Sequence, residues 1–77
     1  MQIFIGNLSR MTTAHHLADL FLPYGAVLTS KIISRNIAGR SLGFGYIEME
    51  SRCGKLAVQK LNQLLFMNSY IDVNEVR

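Results

Sequence analysis

The chain has 77 residues, 49% of them apolar and 17% charged, with 8 Lys and Arg against 5 Asp and Glu for a net charge of +3. That length predicts a single domain over residues 1–77 with one two-layer core, burying only about 60% of the surface its unfolded form exposes. A deep cleft lined by many convergent polar groups is excluded, and the composition argues against disorder.

Met1–Gly6 is a β-branched and aromatic run closed by Gly6-Asn7, and it predicts a first strand. Thr12 and Thr13 are N-cap candidates for a helix on which Leu17, Leu20 and Phe21 recur at helical spacing, ended by Pro23 and Gly25. Ala26–Ser34, rich in Val, Ile and Thr, predicts a second strand. Arg35–Ser41 reads as a basic loop around Gly39, and Gly43–Glu50 as a third strand. Ser51 offers an N-cap for a second helix with Leu56, Ala57, Leu61 and Leu64 on one face, weakened by Gly54. Asn62–Ser69 is a connection in which Asn68 is best suited to a left-handed conformation, and Tyr70–Val76 is a last strand.

The order β-α-β-β-α-β is that of a ferredoxin-like α+β sandwich, a four-stranded antiparallel sheet with both helices on one face. Its other face should be polar unless it has a task. Period-two alternation places Ile3, Ile5, Ile47 and Met49 on the core side, and so puts Phe4, Phe44 and Tyr46 on the uncovered side. Leaving an aromatic ring wet forgoes about 1.5–3 kcal/mol relative to full burial. Three explanations are open: a terminal extension, which is not expected where residue 77 ends the last strand; a dimer packed sheet to sheet; or a platform on which unpaired bases stack. Gly43 and Gly45, flanking Phe44, suit close approach of a ligand to the backbone.

These residues carry a family resemblance. Ile3-Phe4-Ile5-Gly6-Asn7-Leu8 resembles the short motif of the RNA recognition motif (RRM, or RNP domain) family, and Leu42-Gly43-Phe44-Gly45-Tyr46-Ile47-Glu48-Met49 resembles its long one. The ending Val73-Asn74-Glu75-Val76-Arg77 resembles that of small stand-alone bacterial and glycine-rich-type members. The resemblance implies a sheet ordered four-one-three-two and single-stranded RNA binding without catalysis. It implies that Phe4 and Tyr46 each stack a base, that Phe44 packs between sugars or on a base, and that Asn7 marks where the chain leaves the sheet. Lys31, Arg35, Arg40 and Arg77 are expected to meet phosphates. Thr29, Ile33, Glu48, Tyr70, Asp72 and Asn74 are expected to border the bases, with Glu48 and Asp72 accepting hydrogen bonds from base edges. Leu42 stands where the long motif usually opens on a cation, Met49 where it usually ends on an aromatic, and Arg35 where relatives often carry an acid. Ala14-His15-His16 stands where they usually place carboxylates, and Leu64-Leu65 where residues are commonly polar.

Other chemistry is thin. Adjacent helical residues such as His15 and His16 point about 100° apart and do not readily chelate one metal. No acid is close to them in this reading, so they are expected to be solvated surface histidines. Cys53 lies near Lys55 but no histidine is placed to act as its base, which argues against an enzyme. One cysteine excludes an internal disulfide and a cysteine-cluster metal site, and it suits a reducing compartment. No metal or other cofactor is called for. No stretch reaches the roughly 18–20 apolar residues of a membrane span, and Met1–Leu8, apolar but short and without a basic leader, is not expected to be a signal peptide. The expectation is a complete cytoplasmic protein with no membrane contact. Its partner is single-stranded RNA, with single-stranded DNA left open. The apolar run Leu64, Leu65, Phe66 and Met67, together with Leu56 and Ile37, suggests a patch for a protein partner or a second copy. A protein-interaction module of the same fold is therefore the alternative reading.

Overall fold

The computed structural model describes residues 1–34 and 41–76. Arg35, Ile37, Gly39, Arg40 and Arg77 lie outside the described residues. The strands are β1 (Gln2–Gly6), β2 (Val27–Ser34), β3 (Ser41–Met49), β4 (Leu65–Phe66), β5 (Ser69–Tyr70) and β6 (Asp72–Glu75), and the helices α1 (Ala14–Phe21) and α2 (Ser51–Leu61). β2, β3, β1 and β6 form a four-stranded antiparallel sheet in that order, which is the expected four-one-three-two arrangement.

Alternation decides what each strand buries. Ile3 and Ile5 on β1, Ile47 and Met49 on β3 and Val73 on β6 have no exposed surface. Each contributes about 1.5–3 kcal/mol by leaving water. Against them α1 lays Leu17 and Phe21, and α2 lays Gly54, Ala57 and Leu61. The α1 start is a capping box. The Thr13 hydroxyl accepts from the His16 N–H and the His16 Nδ1 accepts from the Thr13 N–H, both at 3.1 Å, satisfying two backbone donors that the helix cannot. His16 is thus a cap partner. His15 does have an acid nearby, since its Nε2 lies 3.2 Å from Asp19 Oδ2 one turn on.

Several expectations are corrected. The N-cap of α2 is Glu50, whose carboxylate accepts from the Arg52 N–H, while Ser51 is the first helical residue. The buried stripe of α2 runs through small residues: a Cβ on Gly54 would collide with Met1 Sδ, so the helix lies close against the sheet. Leu56, one residue round from Ala57, points outward and is 46% exposed; Leu64 lies beyond the helix end at 40%. The supposed connection contains the hairpin β4–β5, turned by Met67 and Asn68 with φ of 48° and 65°. Two successive positive φ values make the turn that matches strand twist in a two-residue hairpin, and Asn68 takes the left-handed conformation expected of it. Tyr70 therefore belongs to this hairpin, and the last sheet strand begins at Asp72. No helix among the described residues is long and apolar enough to cross a membrane.

Candidate nucleic-acid interface

The helix-free face is assembled by register. Phe4 lies opposite Tyr46 on β3 and opposite Asn74 on β6. On β2, Thr29, Lys31 and Ile33 lie opposite Glu48, Tyr46 and Phe44. Directly paired residues share a face, so the adjacent strands β1 and β3 bring Phe4, Phe44 and Tyr46 into one patch. The Phe4 ring centroid is 5.8 Å from that of Phe44 at an interplanar angle of 34°, and 5.8 Å from that of Tyr46 at 67°. The rings support one another through tilted and edge contacts and are half-buried, whereas Ile3 and Ile47 next to them in sequence are fully enclosed.

Glycine fixes where the Phe4 ring lies. A Cβ on Gly6 would stand 2.9 Å from Phe4 Cε2 and 3.9 Å from the Cβ of Asp72, so the ring leans over Gly6 toward the start of β6. Gly45 has a different reason from ligand access. It is buried, and a Cβ there would strike the Lys31 carbonyl oxygen of β2, so close strand packing requires it. Gly43 has φ of 83° and its carbonyl accepts from the Leu8 N–H at 2.8 Å, tying the end of the short motif to the start of the long one.

The polar surround is partly pre-ordered. Lys31 Nζ lies 5.7 Å from the Tyr46 ring centroid, within cation–π reach. The Thr29 hydroxyl donates to Glu48 Oε1 at 3.4 Å. Gln63 Nε2 donates to Asp72 Oδ1 at 2.6 Å. Asn7, at φ 56° where the chain turns off the sheet, donates from Nδ2 to the Tyr70 carbonyl at 2.8 Å and pins the hairpin to the end of β1. Tyr70 is 61% exposed beyond that end of the patch. The structure thus brings Phe4, Phe44, Tyr46, Thr29, Lys31, Ile33, Glu48, Asp72 and Asn74 onto one face. Asn7 and Tyr70 stand at its rim, and Leu42, 43% exposed, carries no charge. Gln63 escapes sequence reasoning: nothing in the run Asn62-Gln63-Leu64 signals a side chain returning to the sheet.

Away from this face, Cys53 Sγ donates to Glu50 Oε2 at 3.4 Å. That hydrogen bond is the main reason the thiol is pushed up from its ordinary value, and burial adds to it. A protonated thiol is a poor nucleophile. The Glu50 carboxyl is held below the usual carboxylate range, chiefly by the Arg52 backbone N–H and then by the Cys53 thiol.

Comparison with known proteins agrees with this geometry. The family described as RNA recognition motif matches residues 3–72. RbpE of Nostoc sp. (strain PCC 7120) is 36% identical over 78 residues, an alignment covering 100% of this chain and 79% of that protein. The glycine-rich RNA-binding, abscisic acid-inducible protein of Zea mays is 33% identical over 75 residues, covering 96% of this chain; the chain spans 48% of that relative's length. The crystal structure of RNA Binding Protein PG1 superposes with a TM-score of 0.96 at 32% identity, over 99% of this chain and 93% of that one.

Proposed function

Because the chain belongs to the RNA recognition motif family, we propose that it binds single-stranded RNA on its helix-free sheet face, as one non-catalytic cytoplasmic domain over residues 1–77. The observation that carries this reading is the cluster of three aromatic rings, Phe44 and Tyr46 each against Phe4, left half-exposed on the face opposite the fully enclosed Ile3, Ile5 and Ile47. Phe4 and Tyr46 each take one base, and Phe44 packs against a sugar or a base. Base–aromatic stacking is worth about 1–3 kcal/mol per base. Lys31 meets a phosphate, joined by Arg35, Arg40 and Arg77. Thr29, Ile33, Glu48, Asp72 and Asn74 border the bases, with Tyr70 and Asn7 at the rim. Single-stranded DNA offers the same stacking surfaces and is the natural competitor strand.

The test is an NMR titration with short RNA and DNA oligomers. Shifts should concentrate on β1 and β3, and Phe4→Ala should lower affinity by about 1–3 kcal/mol while the fold survives. Loss of binding that only tracks unfolding would refute the platform. Shifts confined to the helices, or to the exposed Leu64 and Leu65, would indicate a protein partner or a second copy instead.

A further inference from the structure

We propose that Asp72, held in place by Gln63, selects guanine for the base stacked on Phe4; the inference rests on the RNA-binding reading above. Three observations converge. The Phe4 ring leans over Gly6, and Gly6 is the register partner of Asp72, so a base lying on that ring meets β6 at Asp72. Asp72 is exposed, and its Oδ1 accepts from Gln63 Nε2 at 2.6 Å. Gln63 holds φ of 65°, a conformation uncommon for a residue with a side chain.

The backbone at position 63 has a local reason to be left-handed, because the chain turns off α2 after the extended C-cap Asn62 and the Gln63 N–H donates to the Ile71 carbonyl at 2.7 Å. That reason calls for glycine or asparagine. Glutamine adds the amide that reaches Asp72 and fixes the rotation of its carboxylate. Among the described residues Gln63 is the one hydrogen-bond partner of the Asp72 carboxylate, so Oδ2 and the second lone pair of Oδ1 remain to accept.

A fixed carboxylate distinguishes bases by their Watson–Crick edges, the edges read in single-stranded RNA. Guanine presents two neighbouring donors, N1–H and the N2 amino group, and both fit one carboxylate. Uracil has a single N3–H between two carbonyl oxygens, each repelled by the charge. Adenine and cytosine set one amino group beside a ring nitrogen that accepts rather than donates. Asp72 contacts the base, and Gln63 is a positioning residue that acts through it.

The experiment measures fluorescence anisotropy of the full chain with labelled UUGUU, UUUUU and a pentamer whose central base is inosine, which lacks the N2 amino group. The intact protein is expected to bind UUGUU about five- to ten-fold more tightly than UUUUU, since hydrogen bonds to charged groups are the stronger class and this one is solvent-exposed. The inosine pentamer should fall between them. In Asp72→Asn the ratio of UUGUU to UUUUU should collapse toward one. Gln63→Gly keeps the left-handed backbone and removes the tether, so the ratio should shrink without vanishing. Circular dichroism establishes that each variant is folded. Equal binding of UUGUU and UUUUU by the intact protein would overturn the assignment while leaving RNA binding in place. So would a preference that survives in folded Asp72→Asn. If no pentamer binds, or if folded Phe4→Ala binds as well as the intact chain, the platform itself fails and the selection with it.

Discussion

Tyr46 and Ile47 are neighbours on β3, yet they obey opposite rules. Ile47 has no exposed surface; it pairs with Ile3 of β1 and faces the core under the helices. Tyr46 turns its ring to the side without helices, where it touches Phe4 and Lys31. The same comparison holds for Ile3 and Phe4. One face of the sheet spends its apolar area on folding and the other withholds it, which teaches that the stability of this domain and its binding capacity are written on alternate residues of the same strands. A substitution on one face should therefore leave the property of the other largely intact.

The largest effect should come from the enclosed face. Ile47→Ala removes a fully buried side chain and leaves a cavity under both helices, which typically costs about 2–5 kcal/mol. For a domain of this size that is a large part of the whole. Urea unfolding should show the midpoint moving sharply downward. The adjacent change, Tyr46→Ala, should do the reverse: a loss of about 1–3 kcal/mol in RNA affinity with a much smaller change in the unfolding midpoint. If Tyr46→Ala destabilised the fold as strongly as Ile47→Ala, the division between the faces would be lost.

How far this division was legible in the sequence follows from what each feature depends on. Strand alternation is a property of the extended backbone, so the inward set Ile3, Ile5, Ile47 and Met49 and the outward Phe4, Phe44 and Tyr46 could be read directly. Helix α2 was harder. Its large leucines suggested the buried stripe, but Gly54 lets the helix approach Met1 and Ile3 so closely that the stripe runs through Gly54, Ala57 and Leu61, with Leu56 outside. The β4–β5 hairpin turns on Met67-Asn68, which lacks the glycine that usually announces such a turn, so residue order alone runs Tyr70 into the last strand. The link from Gln63 to Asp72 depends on a backbone angle and a long side chain together, and neither is visible in residue order.

A smaller effect is expected where the two faces meet at a glycine. Gly6→Ala places a methyl group 2.9 Å from Phe4 Cε2, so the ring must swing away from its place over Gly6. Forcing a side chain off its preferred rotamer costs about 0.5–1.5 kcal/mol, and affinity should fall by a comparable amount as the stacking surface tilts. A crystal structure of the variant should show the displaced ring. An unmoved ring with normal affinity would mean that the strand itself shifts to absorb the methyl group.

Lys31 gives the smallest and most diagnostic effect, because it tests whether the open face works by stacking or by charge. It lies over Tyr46 on the side of β2, and Leu42 supplies no cation nearby. Lys31→Gln keeps a chain of similar length and removes one positive charge. If Lys31 pairs with a phosphate, the slope of log affinity against log salt should become shallower by about 0.7, the value for one phosphate contact on a single strand. Loss of the cation–π contact at an exposed site adds about 0.5–1 kcal/mol that depends little on phosphate. Tyr46→Ala, by contrast, should weaken binding at every salt concentration and leave the slope nearly unchanged. Parallel slopes for Lys31→Gln and the intact chain would place Lys31 off the phosphate path and leave it as a prop for the Tyr46 ring.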